Sequence, residues 1–302
     1  MPPLRLRRSE LSTPGSNESM MAKAAASSAD LVFLDLEDAV APSEKVPARA
    51  RVVRALRELD WGRKTRAVRI NNIETEWCHD DLLHVVSDAG DFLDIIIVPK
   101  VKRAEDVRWV DVLLSQLEKK LKRERKIGLE VLIEEVEAMI NAEEIAASTP
   151  RLEALIFGPG DFSASQGVEG HAVSGSSAHY PGDVWHYARN KVVIAARAAG
   201  IEAVDGPYPN FQNGEDYRTE CVKARTLGFI GKWAIHPSQI DIANDAFAPT
   251  ANQVERARRM VTAYGEAEAK GLGAVAVDGV MIDAASVRAW RNILQRGELL
   301  GL

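Results

Sequence analysis

The chain has only two cysteines, Cys78 and Cys221, in 302 residues. That is too few for a disulfide framework or a thiolate zinc site. No apolar run approaches the ~18 residues of a membrane span, so no membrane partner is expected. Basic residues are not in excess: Lys+Arg 38 against Asp+Glu 44 give a formal charge of −6. With no basic stripe interleaved with aromatics, no nucleic-acid partner is expected either. A secretory leader is not legible, because Arg5, Arg7 and Arg8 are followed by Ser9, Glu10 and Ser12 rather than by an apolar stretch. No Gly-x-Gly-x-x-Gly opens a helix after a strand, which weighs against a dinucleotide fold. None of the six histidines stands in a His-x-x-x-His pair, which weighs against zinc. The expectation is a cytoplasmic protein of ordinary make-up, 46% hydrophobic and 27% charged, long enough for one large domain or two ordinary ones.

What is present is an alternation of strand-like and helix-like segments. Apolar, β-branched runs fall near Ser9–Thr13, Leu31–Leu36, Arg66–Ile70, Asp94–Pro99, Leu129–Ile133, Ala154–Gly158, Glu202–Val204 and Phe229–Ile235. Most are uninterrupted, as expected of strands covered on both faces. Helical patterns lie between them, over Ser16–Ser27, Glu44–Leu59, Arg103–Lys122, Glu135–Ala147, Trp185–Ala199 and Asp216–Leu227. About eight β–α units predict an α/β fold, a closed (β/α)8 TIM barrel over residues 1–237. Residues 238–302 read as a C-terminal helical arm, with a Thr250-capped helix, a joint at Gly271 and Gly273, and a last helix to about Gln295.

In such a barrel the reacting groups sit at the C-terminal ends of the strands. Here the apolar runs end in Asp35-Leu36-Glu37-Asp38, in Arg69 and Asn71, in Pro99-Lys100, in Glu134, in Gly158-Pro159-Gly160-Asp161, in Asp205-Gly206-Pro207 and in His236. Each has a structural reading as a helix cap or turn, but together they predict an acidic rim with a few cations inside it. Two carboxylates with water and ligand oxygens make an ordinary Mg²⁺ site, and Glu134 with Asp161 are the best pair. Arg69, set among Ala67, Val68 and Ile70, needs an anionic partner, either a rim carboxylate or a substrate oxygen. Arg5, Arg7, Arg8 and Lys23 flank the Pro14-Gly15 loop before a helix. That arrangement reads either as a phosphate site or as a solvated basic end. Asp283 precedes the last helix and reads as its cap.

Taken together these segments resemble a known family. Arg8-Ser-Glu-Leu-Ser-Thr-Pro-Gly-Ser16, Phe33-Leu-Asp-Leu-Glu-Asp-Ala-Val-Ala-Pro42, Val68-Arg-Ile-Asn71, Val98-Pro-Lys100, Val131-Leu-Ile-Glu134, Phe157-Gly-Pro-Gly-Asp-Phe162, Val204-Asp-Gly-Pro207 and Gly231-Lys-Trp-Ala-Ile-His-Pro-Ser-Gln239 resemble the citrate lyase β-subunit-like, or HpcH/HpaI aldolase, superfamily. Gly231-Lys-Trp-Ala-Ile-His-Pro237, Asp60-Trp-Gly-Arg-Lys64 and Gly279-Val-Met-Ile-Asp283 are most similar to its L-malyl-CoA/β-methylmalyl-CoA lyase branch.

The resemblance implies a Mg²⁺-dependent (or Mn²⁺-dependent) carbon–carbon lyase. It would cleave malyl-CoA or β-methylmalyl-CoA reversibly to glyoxylate and acetyl-CoA or propionyl-CoA. It implies Glu134 and Asp161 as metal ligands, Arg69 at the reacting oxygen, and Asp35, Glu37 and Asp38 as rim acids organising the site. Asp283 would be an acid/base supplied by the arm of a neighbouring subunit in a homotrimer or homohexamer. Arg8 and Lys23 would lie near the coenzyme A phosphates. The stretch 163–181 is shorter than in typical malyl-CoA lyases and is expected over the pocket, which leaves the acyl group open. A citramalyl-CoA lyase yielding pyruvate, a malyl-CoA thioesterase and a CoA-binding regulatory subunit are the alternative readings.

Overall fold

The apolar runs become strands because the chain closes on itself. In the computed structural model, which describes residues 3–168 and 182–302, the strands are β1 (Ser9–Pro14), β2 (Leu31–Asp35), β3 (Thr65–Arg69), β4 (Ile95–Val98), β5 (Gly128–Ile133), β6 (Leu152–Phe157), β7 (Glu202–Asp205) and β8 (Gly231–Ala234). Each pairs in parallel with the next, and β8 pairs with β1 through Ser9↔Lys232 and Leu11↔Ala234. The result is a closed (β/α)8 barrel with no free sheet edge.

Side chains alternate across each strand. One set fills the barrel interior, including Phe33, Ala67, Ile97, Leu132, Ile156 and Trp233. The other set packs outward against helices α1 (Glu18–Ala25), α2 (Lys45–Glu58), α3 (Cys78–Ala89), α4 (Ala104–Lys120), α5 (Val136–Ile140), α6 (Ala142–Ala146), α7 (Pro159–Gln166), α8 (His186–Ala199), α9 (Gly214–Leu227) and α10 (Ile240–Phe247). Continuous burial on both faces explains why these strands read as unbroken apolar runs.

Three features differ from expectation. α3 buries Leu82, Val85, Val86 and Ala89 at helical spacing, and α7 starts directly at Pro159; neither was expected. The helix expected over Glu135–Ala147 is two short helices, α5 and α6, because Asn141 leaves helical geometry between them and its amide donates to the Lys102 carbonyl. Both cysteines are buried, and burial pushes each thiol up to about 12. They are packing residues. Among the described residues no helix is long and apolar enough to cross a membrane.

The chain divides into two compact units, residues 1–247 and 248–302. The boundary expected at 237 lies one helix earlier, before α10, which packs on β1 and β8. The second unit holds α11 (Ala251–Ala269), capped by Thr250 and Gln253 as a capping box, and α12 (Ser286–Leu299). It is not wholly helical: β9 (Ala274–Val277) and β10 (Val280–Asp283) form an antiparallel hairpin. Asp278 and Gly279, both at positive φ, make its two-residue turn. Met260, Tyr264, Ile282 and Val287 form this unit's core.

Candidate active site

At the C-terminal rim of the barrel, interior-facing positions at the ends of β2, β3 and β5 bring Asp35, Arg69 and Glu134 together. The loops after β2 and β4 add Glu37, Asp38 and Lys100, and the first turn of α7 adds Asp161. Six of these seven groups are connected by hydrogen bonds or ion pairs.

Arg69 is buried, so it cannot stand without anions. Asp35 accepts from its Nε at 2.7 Å and from Nη2 at 2.6 Å, a bidentate pair. Glu37 lies 3.1 Å from Nη1. The guanidinium sits 5.9 Å from the Phe33 ring and 5.5 Å from the Trp233 ring. Burial opposes its charge, but Asp35, Glu37 and Glu134 outweigh burial and hold the pKa above its usual value. Backbone N–H groups of Glu37 and Ala39 donate to Asp35 and fix it in turn.

Lys100 has a left-handed backbone, φ 51, which costs energy for a non-glycine residue. In that conformation its N–H donates to Glu134 Oε1 at 2.8 Å. Its ammonium donates to Glu37 at 2.6 Å and to Asp38 at 3.0 Å. Burial raises the Glu37 carboxyl above its usual value. For the half-exposed Asp38, burial acts upward but hydrogen bonds from Lys100 prevail and lower it. The Lys45 ammonium donates to the Leu36 and Glu37 carbonyls and holds the acidic loop. Sequence reasoning placed Lys100 at a strand end but assigned it nothing. Only the fold shows that its two ends reach three different acids.

Glu134 is buried, and burial, reinforced by the nearby Asp161 charge, raises its carboxyl to about 8. Neither acid is ion-paired with another described residue, because Arg69 and Lys100 are committed to Asp35, Glu37 and Asp38. Two adjacent acids with no cation of their own fit a hard divalent ion. Among the described residues no three His, Cys, Asp or Glu side chains are placed to hold one metal ion together, so the remaining ligands would be water and substrate oxygens. Gly158 permits the arrangement: a Cβ there would lie 2.6 Å from Glu134 Cβ and 2.7 Å from Glu134 Oε2. The glycine is needed for the approach of Glu134.

Other rim residues turn elsewhere. Asn71 donates twice to buried Asp81, which also holds Arg49. Asp205 points outward between β7 and the helices, where Arg189 and Lys232 bind it. His236 caps the turn at Ser238 and stacks on Phe211. Arg8 precedes β1, at the barrel end opposite Glu134, and is bound through three bonds to Asp30. That end of the barrel lies away from the rim acids, so the structure does not bring Arg8 to them. Lys23 is exposed in the last turn of α1. Asp283 lies in the second unit, where it accepts from the Ser286 and Ala285 N–H groups at 2.8 and 3.1 Å at the start of α12. Those bonds lower its carboxyl. Of the stretch 163–181, residues 169–181 lie outside the described residues. A cavity of about 290 Å³ lined by Asp111, Ser115, Gly128 and Arg151 lies at the N-terminal end of β5 and β6, away from these groups.

Comparison with known proteins bears on the family of this chain. The chain is 40% identical to the L-malyl-CoA/β-methylmalyl-CoA lyase of Cereibacter sphaeroides, over 99% of this chain and 97% of that one. It is 36% identical to a (3S)-malyl-CoA thioesterase of the same species, over 97% and 95%. Among solved structures, a Mycobacterium tuberculosis CitE protein in complex with magnesium, acetoacetate and coenzyme A superposes with a TM-score of 0.73 at 28% identity, covering 96% of this chain and 97% of that one. A family model described as HpcH/HpaI aldolase/citrate lyase matches residues 8–237, the stretch that carries every rim residue named above, and the chain belongs to that family.

Proposed function

We propose that this protein is a divalent-metal-dependent CoA-ester lyase that cleaves L-malyl-CoA or β-methylmalyl-CoA to glyoxylate and acetyl-CoA or propionyl-CoA, reversibly and in the cytoplasm. The observation that carries the reading is the buried Asp35–Arg69 pair beside Glu134 and Asp161, two neighbouring acids with no ion pair among the described residues. The near-full-length likeness to malyl-CoA lyases supports it.

Glu134 and Asp161 would hold Mg²⁺ or Mn²⁺, which supplies Lewis acidity toward a carboxylate and its neighbouring hydroxyl or carbonyl oxygen. In cleavage the hydroxyl gives its proton to a rim carboxylate or to water, the bond from the hydroxyl carbon to the thioester α-carbon breaks, and the electron pair passes to the thioester as an enolate. Arg69, fixed by Asp35, presents its guanidinium to that enolate oxygen. Trp233 and Phe33 keep water from the opposite side of the guanidinium. Asp283 returns a proton to the α-carbon, or removes it in condensation. In our reading it comes from the arm of a neighbouring subunit in a homotrimer or homohexamer. The exposed Val280 and Met281 beside it on the hairpin suit a surface covered by another copy. Glu37, Asp38 and Lys100 keep the acids oriented.

A product assay tests the reading. With malyl-CoA and Mg²⁺ the protein should release glyoxylate and acetyl-CoA in equal amounts, and a chelator should stop it. Free coenzyme A without glyoxylate would assign a thioesterase. Pyruvate from citramalyl-CoA, with malyl-CoA untouched, would assign a citramalyl-CoA lyase. Binding of coenzyme A esters without turnover would assign a regulatory subunit.

A further inference from the structure

Below Arg69 the barrel interior holds a second set of charges that the reaction does not use. Arg7, just before β1, is 1% exposed. Its Nε lies 2.7 Å from Glu130 Oε1 and 3.9 Å from Glu10 Oε1, and its Nη2 donates to Glu153. Arg5 also binds Glu153, at 2.8 Å. Arg5 also lies 3.9 Å from Asp94, which Arg66 and Arg125 hold, so the excess of charge is local: Glu10 and Glu130, neither of them exposed, have only Arg7 between them. Within this cluster Glu10 Oε1 and Glu130 Oε2 have no hydrogen-bond partner. Such oxygens are costly unless a donor reaches them. Burial raises both carboxyls. The Glu130 charge adds to the shift of Glu10, with Asp30 acting in the same direction and Arg7 against it.

The other oxygen of Glu10 is occupied. It accepts from the Trp233 indole N–H at 2.9 Å. The Trp233 ring packs on Phe33 with centroids 4.4 Å apart and lies 5.5 Å from the Arg69 guanidinium carbon. The indole has one donor and needs one acceptor, and Glu10 supplies it from the far side of the ring. A line of contacts thus runs from the charge cluster through one aromatic ring to the arginine of the site.

We propose that Glu10 is a positioning residue: Glu10 and Glu130 share one proton between their free oxygens, and Glu10, so held, fixes the Trp233 indole beneath Arg69. One proton removes the excess charge and satisfies both orphaned oxygens together, as an O–H donor on one and an acceptor on the other. The consequence for turnover rests on the lyase reading above. The shared proton and the held indole do not.

A set of amide variants tests this. Glu10→Gln keeps an acceptor for Trp233 and turns its NH₂ toward Glu130, so it reproduces the proton-bearing acid. Glu130→Gln does the same from the other side. Each single variant should fold, and melt close to the parent at neutral pH. The double variant sets two NH₂ groups against each other and should melt well below the sum of the single effects. Infrared spectra of the parent should show a protonated carboxyl band that either single amide removes. Glu10→Leu should shift the Trp233 indole N–H resonance and lower kcat roughly tenfold, within the ~100-fold that misplacing a group can cost. KM for the acyl-CoA should change little, and Glu10→Gln should restore kcat. Absence of the carboxyl band, or additive behaviour in the double variant, would overturn the shared proton. An unmoved indole resonance in Glu10→Leu would overturn the positioning role. If the parent lacks lyase activity, only the proposed function fails, since the spectra and melting series still decide this one.

Discussion

Arg69 and Asp35 meet side by side, two guanidinium nitrogens on two carboxylate oxygens at 2.7 and 2.6 Å. Neighbouring strands bring them together, since Asp35 and Arg69 are register partners of β2 and β3. The pair is the means by which a cation is kept inside the barrel mouth in a fixed plane. Asp35→Asn keeps the shape but removes the charge. It should lower kcat on the order of 100-fold with little change in KM. Stability should fall by about 1.5–3 kcal/mol, the worth of hydrogen bonds to a charged group, since Glu37 still faces Arg69. Steady-state kinetics with urea unfolding checks both.

Gly158 makes room for Glu134. Ala there would set its Cβ 2.6 Å from Glu134 Cβ, and neither side can give way without moving a strand end. Gly158→Ala should weaken divalent-metal binding at least tenfold, while overpacking costs about 1–3 kcal/mol of stability. Titration calorimetry with Mn²⁺ and a melting curve separate the two. Gly160, whose Cβ would meet nothing within 4 Å, is the control, and Gly160→Ala should leave metal binding intact.

Much of this architecture is legible in the chain before any coordinates. The eight strands fall where the apolar runs do, because a strand covered on both faces must be apolar throughout. The same fact hides which side chains point inward: in Ala203-Val204-Asp205 nothing marks Asp205 as facing the helices, while in Phe33-Leu34-Asp35 nothing marks Asp35 as facing the cavity. Closure of the barrel decides the parity. The Glu10–Trp233 bond spans 223 positions, and no local pattern can announce it. The hairpin of the second unit is a different case. Ala274–Val277, Asp278-Gly279 and Val280–Asp283 carry the two-residue turn signature between two short apolar segments, and the arm could have been read as more than helical. The Asp283 cap was legible from residue type; the acid/base role we propose for it came from the resemblance alone.

Asp94 closes the lower end of the barrel between β3 and β5. It accepts from the Arg66 N–H at 2.9 Å and from Arg66 Nε at 3.0 Å, and it pairs with Arg125. Burial acts to raise its carboxyl, but these bonds prevail and lower it. A carboxyl lowered in the folded state stabilises the fold above its unfolded pKa, and that contribution is lost as pH falls through the folded value. Asp94→Asn should therefore cost about 1.5–3 kcal/mol at pH 7, the worth of hydrogen bonds to a charged group. The gap between variant and parent should close in strong acid, below the ordinary aspartate pKa of about 3.9. Urea unfolding across that range checks it.

Asp283 and Arg69 lie in different compact units. If the arm of one copy serves the barrel of the next, Asp283→Asn and Arg69→Ala proteins, each inactive alone, should regain activity when unfolded and refolded together. For independent sites mixed at random in equal amounts, recovery should approach about one quarter of the parental level, since a site needs both intact contributors. No recovery in verified mixed oligomers would place Asp283 in its own chain's site or outside the chemistry.

The most direct measurement is anomalous X-ray diffraction from crystals soaked in Mn²⁺, read at the barrel mouth, with Asp161→Ala crystals as the partner experiment. The account predicts one strong peak between the carboxylates of Glu134 and Asp161, absent from the variant although its barrel is unchanged. A peak placed elsewhere, or one that persists at full height without Asp161, would contradict it.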